Sequence, residues 1–242
     1  MKKLMFAAAA LTAGIAMADI VSSDIVGYAT SGLRNGFTMA TPQFLGVGFN
    51  TALDLQSIKP LGDDTSDNVS IQTLDAYGRM VYMYIWCNWA VPNSDQESWS
   101  DGSGDIIEGV TFEPGTGLWI QGMDTAQSIQ TAGAVGKNDI SIALGNGFTA
   151  TGNPFPVSVN LQDIIPQGDD TSDNVSIQTL DAYGRMVDMY IWCNWAGPNS
   201  DQEAWSDGSG DIIEGVTFSA GQGLWVQGSA SGQYLRFPAP EL

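Results

Sequence analysis

Histidine is absent from the sequence, and only eight lysine and arginine residues and two cysteines occur among its 242 residues. Histidine is the usual general base near neutral pH and the commonest transition-metal ligand. Its absence excludes nucleophile activation of the Ser-His-Asp and Cys-His types. A structural zinc site takes four ligands, which the two cysteines do not supply on their own. The composition therefore excludes the most familiar hydrolase and zinc-enzyme designs.

Basic residues are few enough to leave the chain strongly acidic, with 27 Asp and Glu residues and a net charge of -19. A surface this negative repels phosphate backbones and anionic lipid heads. Both partners are therefore disfavoured, and we expect the protein to bind no nucleic acid and not to adsorb simply to a membrane. Hydrophobic residues make up 43% of the chain and include eight tryptophans, which indicates a folded rather than a disordered protein.

Long apolar runs are missing everywhere except at the start of the sequence. Lys2 and Lys3 precede the apolar run Leu4–Ile15, and the Ala-Met-Ala at 16–18 fits a signal peptidase site. The run is shorter than the roughly 20 residues of a membrane-spanning helix. We expect residues 1–18 to be a signal peptide and the mature chain to begin at Asp19, with no transmembrane segment. It would be secreted to the cell surface or the medium, or retained in the periplasm. Without the two lysines, six basic residues face 27 acidic ones, a net charge of -21.

An internal repeat covers most of the mature chain. Residues 62–112 recur at 168–218 with three changes in 51 positions, and looser similarity extends on both sides. The changes are Tyr82 to Asp188, Val91 to Gly197 and Ser98 to Ala204. Each copy is domain-sized and far longer than a solenoid repeat. The sequence thus predicts an N-terminal strand segment at 19–34, one module at 35–135 and a second module at 136–242.

Short β-strands account for the hydrophobic pattern within each copy. Val69–Leu74 and Arg79–Trp89 are rich in β-branched and aromatic residues, and the turn residues Asp75–Gly78 between them predict a hairpin. Val110–Phe112 and Leu118–Gln121 are separated by a further turn cluster. We therefore expect an all-β fold of two tandem β-sandwich or barrel-like modules, each of about 100 residues.

Alternation along the longer strand of the hairpin assigns its side chains to two faces. Asp188 stands where the first copy has Tyr82, and a carboxylate is seldom buried unpaired, so this face is expected to be partly solvated. The face with Val81 and Cys87 is then expected to form the core. Exposed aromatic rings can stack on sugars or on other proteins. The candidate ligand-binding residues are Tyr84, Trp86, Trp89, Trp99, Tyr190, Trp192, Trp195 and Trp205. The alternative is that these rings are buried.

Acidic loops with glycine between oxygen-bearing side chains occur in both copies and suit Ca²⁺, the sole cofactor that the sequence suggests. The candidate ligands are Asp101, Ser103 and Asp105, with Asp207, Ser209 and Asp211 in the second copy. The loop lacks the glycine at the sixth position and the acid at the twelfth position of an EF-type loop. A solvated turn stabilised by the Asp side chain is the alternative.

The cysteines occupy equivalent positions in the two copies. Export permits a Cys87–Cys193 disulfide if the modules pack about a local two-fold axis. Two buried free thiols are the alternative, since cysteine often behaves as a small buried hydrophobe.

Three short motifs carry a resemblance to a known group. They are IVGY at 25–28, IQTLDxxG at 71–78 and FxxGxGLWI at 112–120. With them the chain resembles a broad group of uncharacterised exported β-repeat proteins of Gram-negative bacteria. The resemblance implies a surface or extracellular location and assigns no functional residue.

The duplication and the missing catalytic groups favour a secreted, non-enzymatic structural or adhesive protein, such as a subunit of an extracellular fibre or surface layer. Its partners would be further copies of itself or other surface proteins. Asp19–Thr30 has no evident counterpart in the repeat and is expected to add a strand to a neighbouring subunit. One alternative is a tandem carbohydrate-binding protein that gains avidity from two sites. A second alternative is a glycan-acting hydrolase with a carboxylate pair.

Overall fold

A computed structural model of the protein describes residues 26–46, 52–89, 97–196 and 202–241. The predicted signal peptide and the first residues of the predicted strand segment lie outside the described residues. Within these ranges the chain contains β-strands and two short 3₁₀ turns but no α-helix. The predicted all-β fold is confirmed, and its modules are sandwiches of open antiparallel sheets.

Module 1 spans residues 26–134, and ten strands are described in it. They are β1 (Val26–Gly32), β2 (Gly36–Ala40), β3 (Leu53–Asp54), β4 (Lys59–Leu61), β5 (Ser70–Leu74), β6 (Met80–Cys87), β7 (Ser98–Ser100), β8 (Thr111–Phe112), β9 (Leu118–Gly122) and β10 (Ser128–Ala134). A five-stranded sheet has the order β2-β9-β5-β6-β7 and a three-stranded sheet the order β1-β10-β4. β3 and β8 form a small two-stranded sheet.

Module 2 spans residues 140–237 and repeats this arrangement strand by strand. Its strands are β11 (Ile140–Leu144), β12 (Gly147–Gly152), β13 (Val159–Asn160), β14 (Ile165–Gln167), β15 (Ser176–Leu180), β16 (Met186–Ala196), β17 (Gln202–Ser206), β18 (Thr217–Phe218), β19 (Gly223–Gly228) and β20 (Gln233–Phe237). The sheet orders are β12-β19-β15-β16-β17, β11-β20-β14 and β13-β18. The identical order shows that the sequence repeat is also a structural repeat.

The N-terminal strand belongs to module 1 and is not a free segment. β1 pairs antiparallel with β10 along its whole length, from Val26 with Ala134 to Gly32 with Ser128. In module 2, β11 pairs with β20 in the same position. The interpretation of Val26–Thr30 as a strand without a counterpart is therefore wrong, and the first module begins at or before Val26. The strand that was expected to add to a neighbouring subunit pairs instead with β10 of its own chain.

Each module has a hydrophobic core of its own, between the five-stranded and the three-stranded sheets. In module 1, Ile71 and Trp86 pack in one buried cluster with Ile129 of the three-stranded sheet. Trp86 meets Trp99 edge to face, with ring centroids 5.3 Å apart, and the Trp99 indole N–H donates to the carbonyl of Ile58 at 2.8 Å. A buried indole N–H needs such an acceptor. Module 2 has an equivalent, separate cluster around Trp192 and Trp205.

The hairpin turn of each module contacts the other module, and the two contacts are related by a pseudo-two-fold axis. The backbone N–H of Phe37 donates to the carbonyl of Ala182 at 3.1 Å, and that of Phe148 donates to Ala76 at the same distance. Ala76 and Ala182 are equivalent residues in the hairpin turns after β5 and β15. Each five-stranded sheet is therefore bordered by the hairpin turn of the other module.

Candidate functional site

The predicted strip of exposed aromatic residues is wrong, because the face of β6 that carries Tyr84 and Trp86 packs on the main core of module 1. Tyr84 is 8% exposed and Trp86 is 2% exposed, and both belong to the core of module 1. Trp99, Trp192 and Trp205 are also buried, and Tyr190 packs against the core of module 2. Six of the eight candidate residues therefore serve the two cores, as the alternative interpretation had it.

The prediction of the faces failed because it used a substitution at the free end of the hairpin. Tyr82, at 61% exposure, and Val81 lie on opposite faces of β6, and both are exposed. This end of the strand projects past the core, so the aspartate at position 188 indicates only that the end of the strand is exposed to solvent. It does not distinguish the inner face of the strand from the outer face.

Trp89 and Trp195 are the two predicted residues that remain exposed, at about 40% each. The Trp89 indole N–H donates to both carboxylate oxygens of Asp67 at 3.0 Å, and Trp195 contacts Asp173 in the same way. A Cβ at Gly104 would collide with the Trp89 ring, so the acidic loop lies on one face of the indole. Trp89 therefore contacts both the loop that contains Asp67 and the loop at Asp101–Asp105, and it stays partly exposed.

The predicted calcium loops close through hydrogen bonds of their own. The hydroxyl and the backbone N–H of Ser103 donate to Asp101 at 2.6 and 2.9 Å, and these bonds lower the pKa of the Asp101 carboxyl. Asp207 and Ser209 repeat this geometry. In the part of the chain that the structure describes, no three His, Cys, Asp or Glu side chains cluster as metal ligands. The loop has the geometry of the Asp-stabilised turn, and Ca²⁺ binding stays a prediction.

The cysteines are free and buried, so the proposed disulfide is wrong and the buried-thiol alternative is confirmed. The Cys87 thiol lies 3.6 Å from the carbonyl of Ser98, and the Cys193 thiol lies 3.6 Å from that of Ala204. Each thiol is thus held inside its own module, against the neighbouring strand.

A cleft of about 390 Å³ lies between the outer faces of the two five-stranded sheets. It is lined by Gln72, Leu74, Gly78, Met80 and Trp119 of module 1 and by the equivalent residue of each, 106 positions later, in module 2. Tyr77 and Phe148 complete the lining. Ligand sites are commonly concave, largely apolar and placed between domains, so this cleft is a candidate ligand site.

The walls of the cleft follow from strand register. Trp119 on β9 is directly opposite Gln72 on β5, and Gln72 is opposite Met83 on β6, so these side chains form one row. The Trp119 ring stacks on Phe37 at 5.1 Å, and its edge reaches the turn at Gly184 of the other module. A Cβ at Gly184 would lie 3.4 Å from that ring, and Gly184 has φ +76°, so glycine suits both the turn and the approach.

Gln72 and Gln178 supply the side-chain amides of the cleft, and neither amide has a hydrogen-bond partner among the described residues. Gln178 is 9% exposed and lines the cleft, and Gln72 is half-buried there. Ligand sites in proteins typically combine apolar walls with a few polar groups that fix the orientation of the ligand, and the two amides are placed to do so here.

Sequence reasoning missed these two residues. The signal that could have identified them is a glutamine inside the strand run Ile71–Leu74, which recurs at position 178.

The outer edge of β6 is a second feature without a partner. β7 pairs with β6 only at Ile85–Cys87, and no described strand pairs with the outer side of Met80–Tyr84. Met80, Val81, Tyr82 and Met83 are all exposed there. Exposed strand edges with apolar side chains are templates for pairing with another chain.

The two copies differ at this edge in their internal hydrogen bonds. In module 2 the Thr179 hydroxyl donates to the Asp188 carboxylate at 2.9 Å. The equivalent hydroxyl of Thr73, next to Tyr82, is buried and has no partner within the described part of the chain. Module 1 thus carries an exposed tyrosine where an aspartate would satisfy a buried hydroxyl.

Comparison with known proteins assigns no family to the chain. No protein-family model, no curated protein and no solved structure matches the chain. The resemblance to exported β-repeat proteins therefore stays a prediction. Across the residues that the structure describes, no helix has the length and apolar character needed to cross a membrane.

Proposed function

We propose that the protein is a secreted, non-enzymatic structural or adhesive protein whose copies associate through the open edge of β6. The observation that carries this proposal is the exposed apolar segment Met80–Met83, which lies on a strand whose outer side is unpaired. A second copy of β6 can add to this edge as an antiparallel strand, as in other cases of strand addition.

The charge distribution supports self-association at this edge and not at the equivalent edge of β16. With a net charge of -19, most surfaces of two copies repel each other. Met80–Tyr84 carries no charge, whereas β16 has Asp188 at the middle of the same segment. Antiparallel pairing of two β16 edges about Asp188 would place like charges opposite each other, which destabilises a strand pair. Charged residues on strand edges commonly prevent such pairing.

The unsatisfied hydroxyl of Thr73 suggests a variant of the open edge that tests the proposal. Tyr82→Asp would supply the acceptor that Thr179 has in module 2, so we expect this variant to be more stable by roughly 1 kcal/mol. It would also place a charge on the open edge. A gain in stability together with a loss of association is a trade-off expected at a functional surface.

The experiment is analytical ultracentrifugation with negative-stain imaging of the wild-type protein, of Tyr82→Asp and of Tyr28→Asp. Tyr28 is an exposed tyrosine on β1, so its variant adds the same charge away from β6. We expect the wild type and Tyr28→Asp to associate with rising concentration and Tyr82→Asp to stay monomeric. Monomers of the wild type at every concentration, or equal association of all three, would overturn the proposal.

A second candidate function is carbohydrate binding, and the cleft between the modules favours it. The cleft combines aromatic and apolar walls with the unpartnered amides of Gln72 and Gln178. Retention of the protein on insoluble neutral polysaccharides, with loss of retention on adding soluble fragments of the same polymer, would support this function. Failure to bind any of a panel of polysaccharides would remove it.

A further inference from the structure

The cleft is built jointly by the two modules, with matching residues facing each other across the pseudo-two-fold axis. From this arrangement we infer that the protein has one shared binding site for a neutral saccharide, and not two separate sites of which each module carries one. The inference rests on carbohydrate binding, the second function proposed above, and it specifies the stoichiometry, the ligand class and the residues.

The hydrogen-bonding groups of the shared site are the amides of Gln72 and Gln178. Each amide offers one carbonyl acceptor and two N–H donors. A sugar hydroxyl is both a donor and an acceptor, so one amide can bind two neighbouring hydroxyls of the same ring. Gln178 is 9% exposed, and its amide has no hydrogen-bond partner among the described residues, so its donors and acceptor are available to a ligand in the cleft.

The lining of the cleft selects against charge. None of the residues that line it is charged, although the chain has 27 acidic residues. Moving an ion from water into such a site is costly unless it is paired there. The side chains of Leu74, Met80 and Trp119, with their equivalents in module 2, offer apolar area to the C–H faces of sugar rings. A neutral ligand with alternating apolar faces and hydroxyl groups fits this combination.

The backbone around the amides argues for a saccharide over an extended peptide. Peptides that bind to sheets usually do so by main-chain hydrogen bonds to a free strand edge. Gln72 lies on β5, which pairs with β6 on one side and with β9 on the other. Gln178 lies on β15, which is paired on both sides in the same way. Recognition at the two amides therefore depends on side chains, and a peptide backbone finds no unpaired strand edge on β5 or β15.

Isothermal titration calorimetry with soluble neutral oligosaccharides of two to six sugar units tests the inference. The probes are fragments of cellulose, starch, xylan and mannan, chosen to cover different linkages and hydroxyl orientations. We expect at least one of them to bind with a stoichiometry of one per chain. Gln72→Ala and Gln178→Ala should each lower the affinity roughly tenfold, because each removes hydrogen bonds to the same ligand.

Gln130→Ala is the matched control, because Gln130 is half-buried on β10 of the other sheet, away from the cleft. Met186→Lys is a further variant that alters the exposed rim of the cleft and leaves both amides in place. It should weaken binding by adding charge to a neutral wall, while the control should bind as the wild type does. Thermal melts of all variants separate loss of binding from loss of folding.

The remaining outcomes separate the inference from the function on which it rests. Two sites per chain, with each glutamine variant removing one of them, would overturn the shared site and leave carbohydrate binding in place. Binding that ignores all cleft variants would do the same. Binding of neutral peptides in place of sugars would overturn the ligand class. An absence of binding to soluble and insoluble saccharides alike would overturn carbohydrate binding itself.

Discussion

Ser98 carries a buried hydroxyl that has no hydrogen-bond partner in the described part of the chain, and the equivalent residue in module 2 is Ala204. An unsatisfied buried hydroxyl destabilises a protein by about 1–3 kcal/mol. We therefore expect Ser98→Ala to raise the free energy of unfolding by about 1 kcal/mol and Ala204→Ser to lower it by a similar amount. Urea unfolding followed by tryptophan fluorescence measures both changes. Opposite signs would show that the Ser98 hydroxyl has a partner.

Trp86 and Trp89 differ by three positions but have different roles. Trp86 is fully enclosed in the core, whereas Trp89 is partly exposed and bonds Asp67. Trp86→Ala should lower the free energy of unfolding by about 3–5 kcal/mol, as large-to-small changes of buried aromatic residues do. Trp89→Ala should cost about 1 kcal/mol, the value of one hydrogen bond. Chemical denaturation of the two variants tests the assignment of faces, which equal losses would contradict.

The hairpin turns are the elements whose stability should depend on pH. In the turn after β15, the Arg185 side chain donates to Asp181 at 2.7 Å, and this bond lowers the pKa of the Asp181 carboxyl below its ordinary value of 3.8. Asp75 and Arg79 repeat the arrangement after β5. A carboxyl with a lowered pKa stabilises the folded state above its unfolded pKa, and the effect disappears as the pH falls through the folded value.

The pH dependence can be isolated with the double variant Asp75→Asn and Asp181→Asn. We expect the wild type to be more stable than this variant between pH 5 and pH 7, and the difference to shrink below about pH 3.9. Urea midpoints of both proteins at each pH give the difference directly, which removes effects of overall charge. A constant difference down to pH 2 would show that these ion pairs do not contribute. The turns are exposed, so the effect should be small.

The strands themselves could be predicted from sequence, because their signals are local. The predicted hairpin Val69–Leu74 and Arg79–Trp89 corresponds to β5 and β6, and its turn is held by Asp75, which accepts from the backbone N–H groups of Tyr77 and Arg79. The face of β6 that enters the core could not be predicted in the same way. The strand is wet on both faces at one end, so the substitution used to orient it carried no information about the other end.

At the scale of the whole molecule, the cleft and the contacts of each hairpin turn with the other module could not be predicted, because they join residues that are far apart in the sequence. The pairs Phe37 with Ala182 and Phe148 with Ala76 meet only once both modules have folded and docked. The repeat showed that two equivalent units exist, but it contained no information about which surfaces of the units meet. The order of the strands, by contrast, followed from the repeat once one module was known.

The negative charge of the whole chain makes its stability sensitive to salt. We expect the melting temperature to rise with NaCl, because screening weakens the repulsion among 27 acidic side chains. The calcium prediction requires a further rise in millimolar CaCl₂ at matched ionic strength, since specific binding stabilises by mass action. Differential scanning calorimetry with both salts and a chelator control measures this. Equal melting temperatures in the two salts would contradict calcium binding at the acidic loops.

The reciprocal contacts between hairpin turns predict how a single module behaves when it is produced alone. The donor at Phe148 and the acceptor at Ala182 lie on the same module, so a polypeptide with module 2 alone contains both members of the reciprocal contact. Two copies of this polypeptide can therefore form the same two reciprocal hydrogen bonds that join the modules of the intact chain. We expect residues 136–242, produced alone, to form a homodimer with true two-fold symmetry, and light scattering would show twice the mass of the half. The present chain would then be the covalently linked form of a dimer, with the linker fixing which two halves meet.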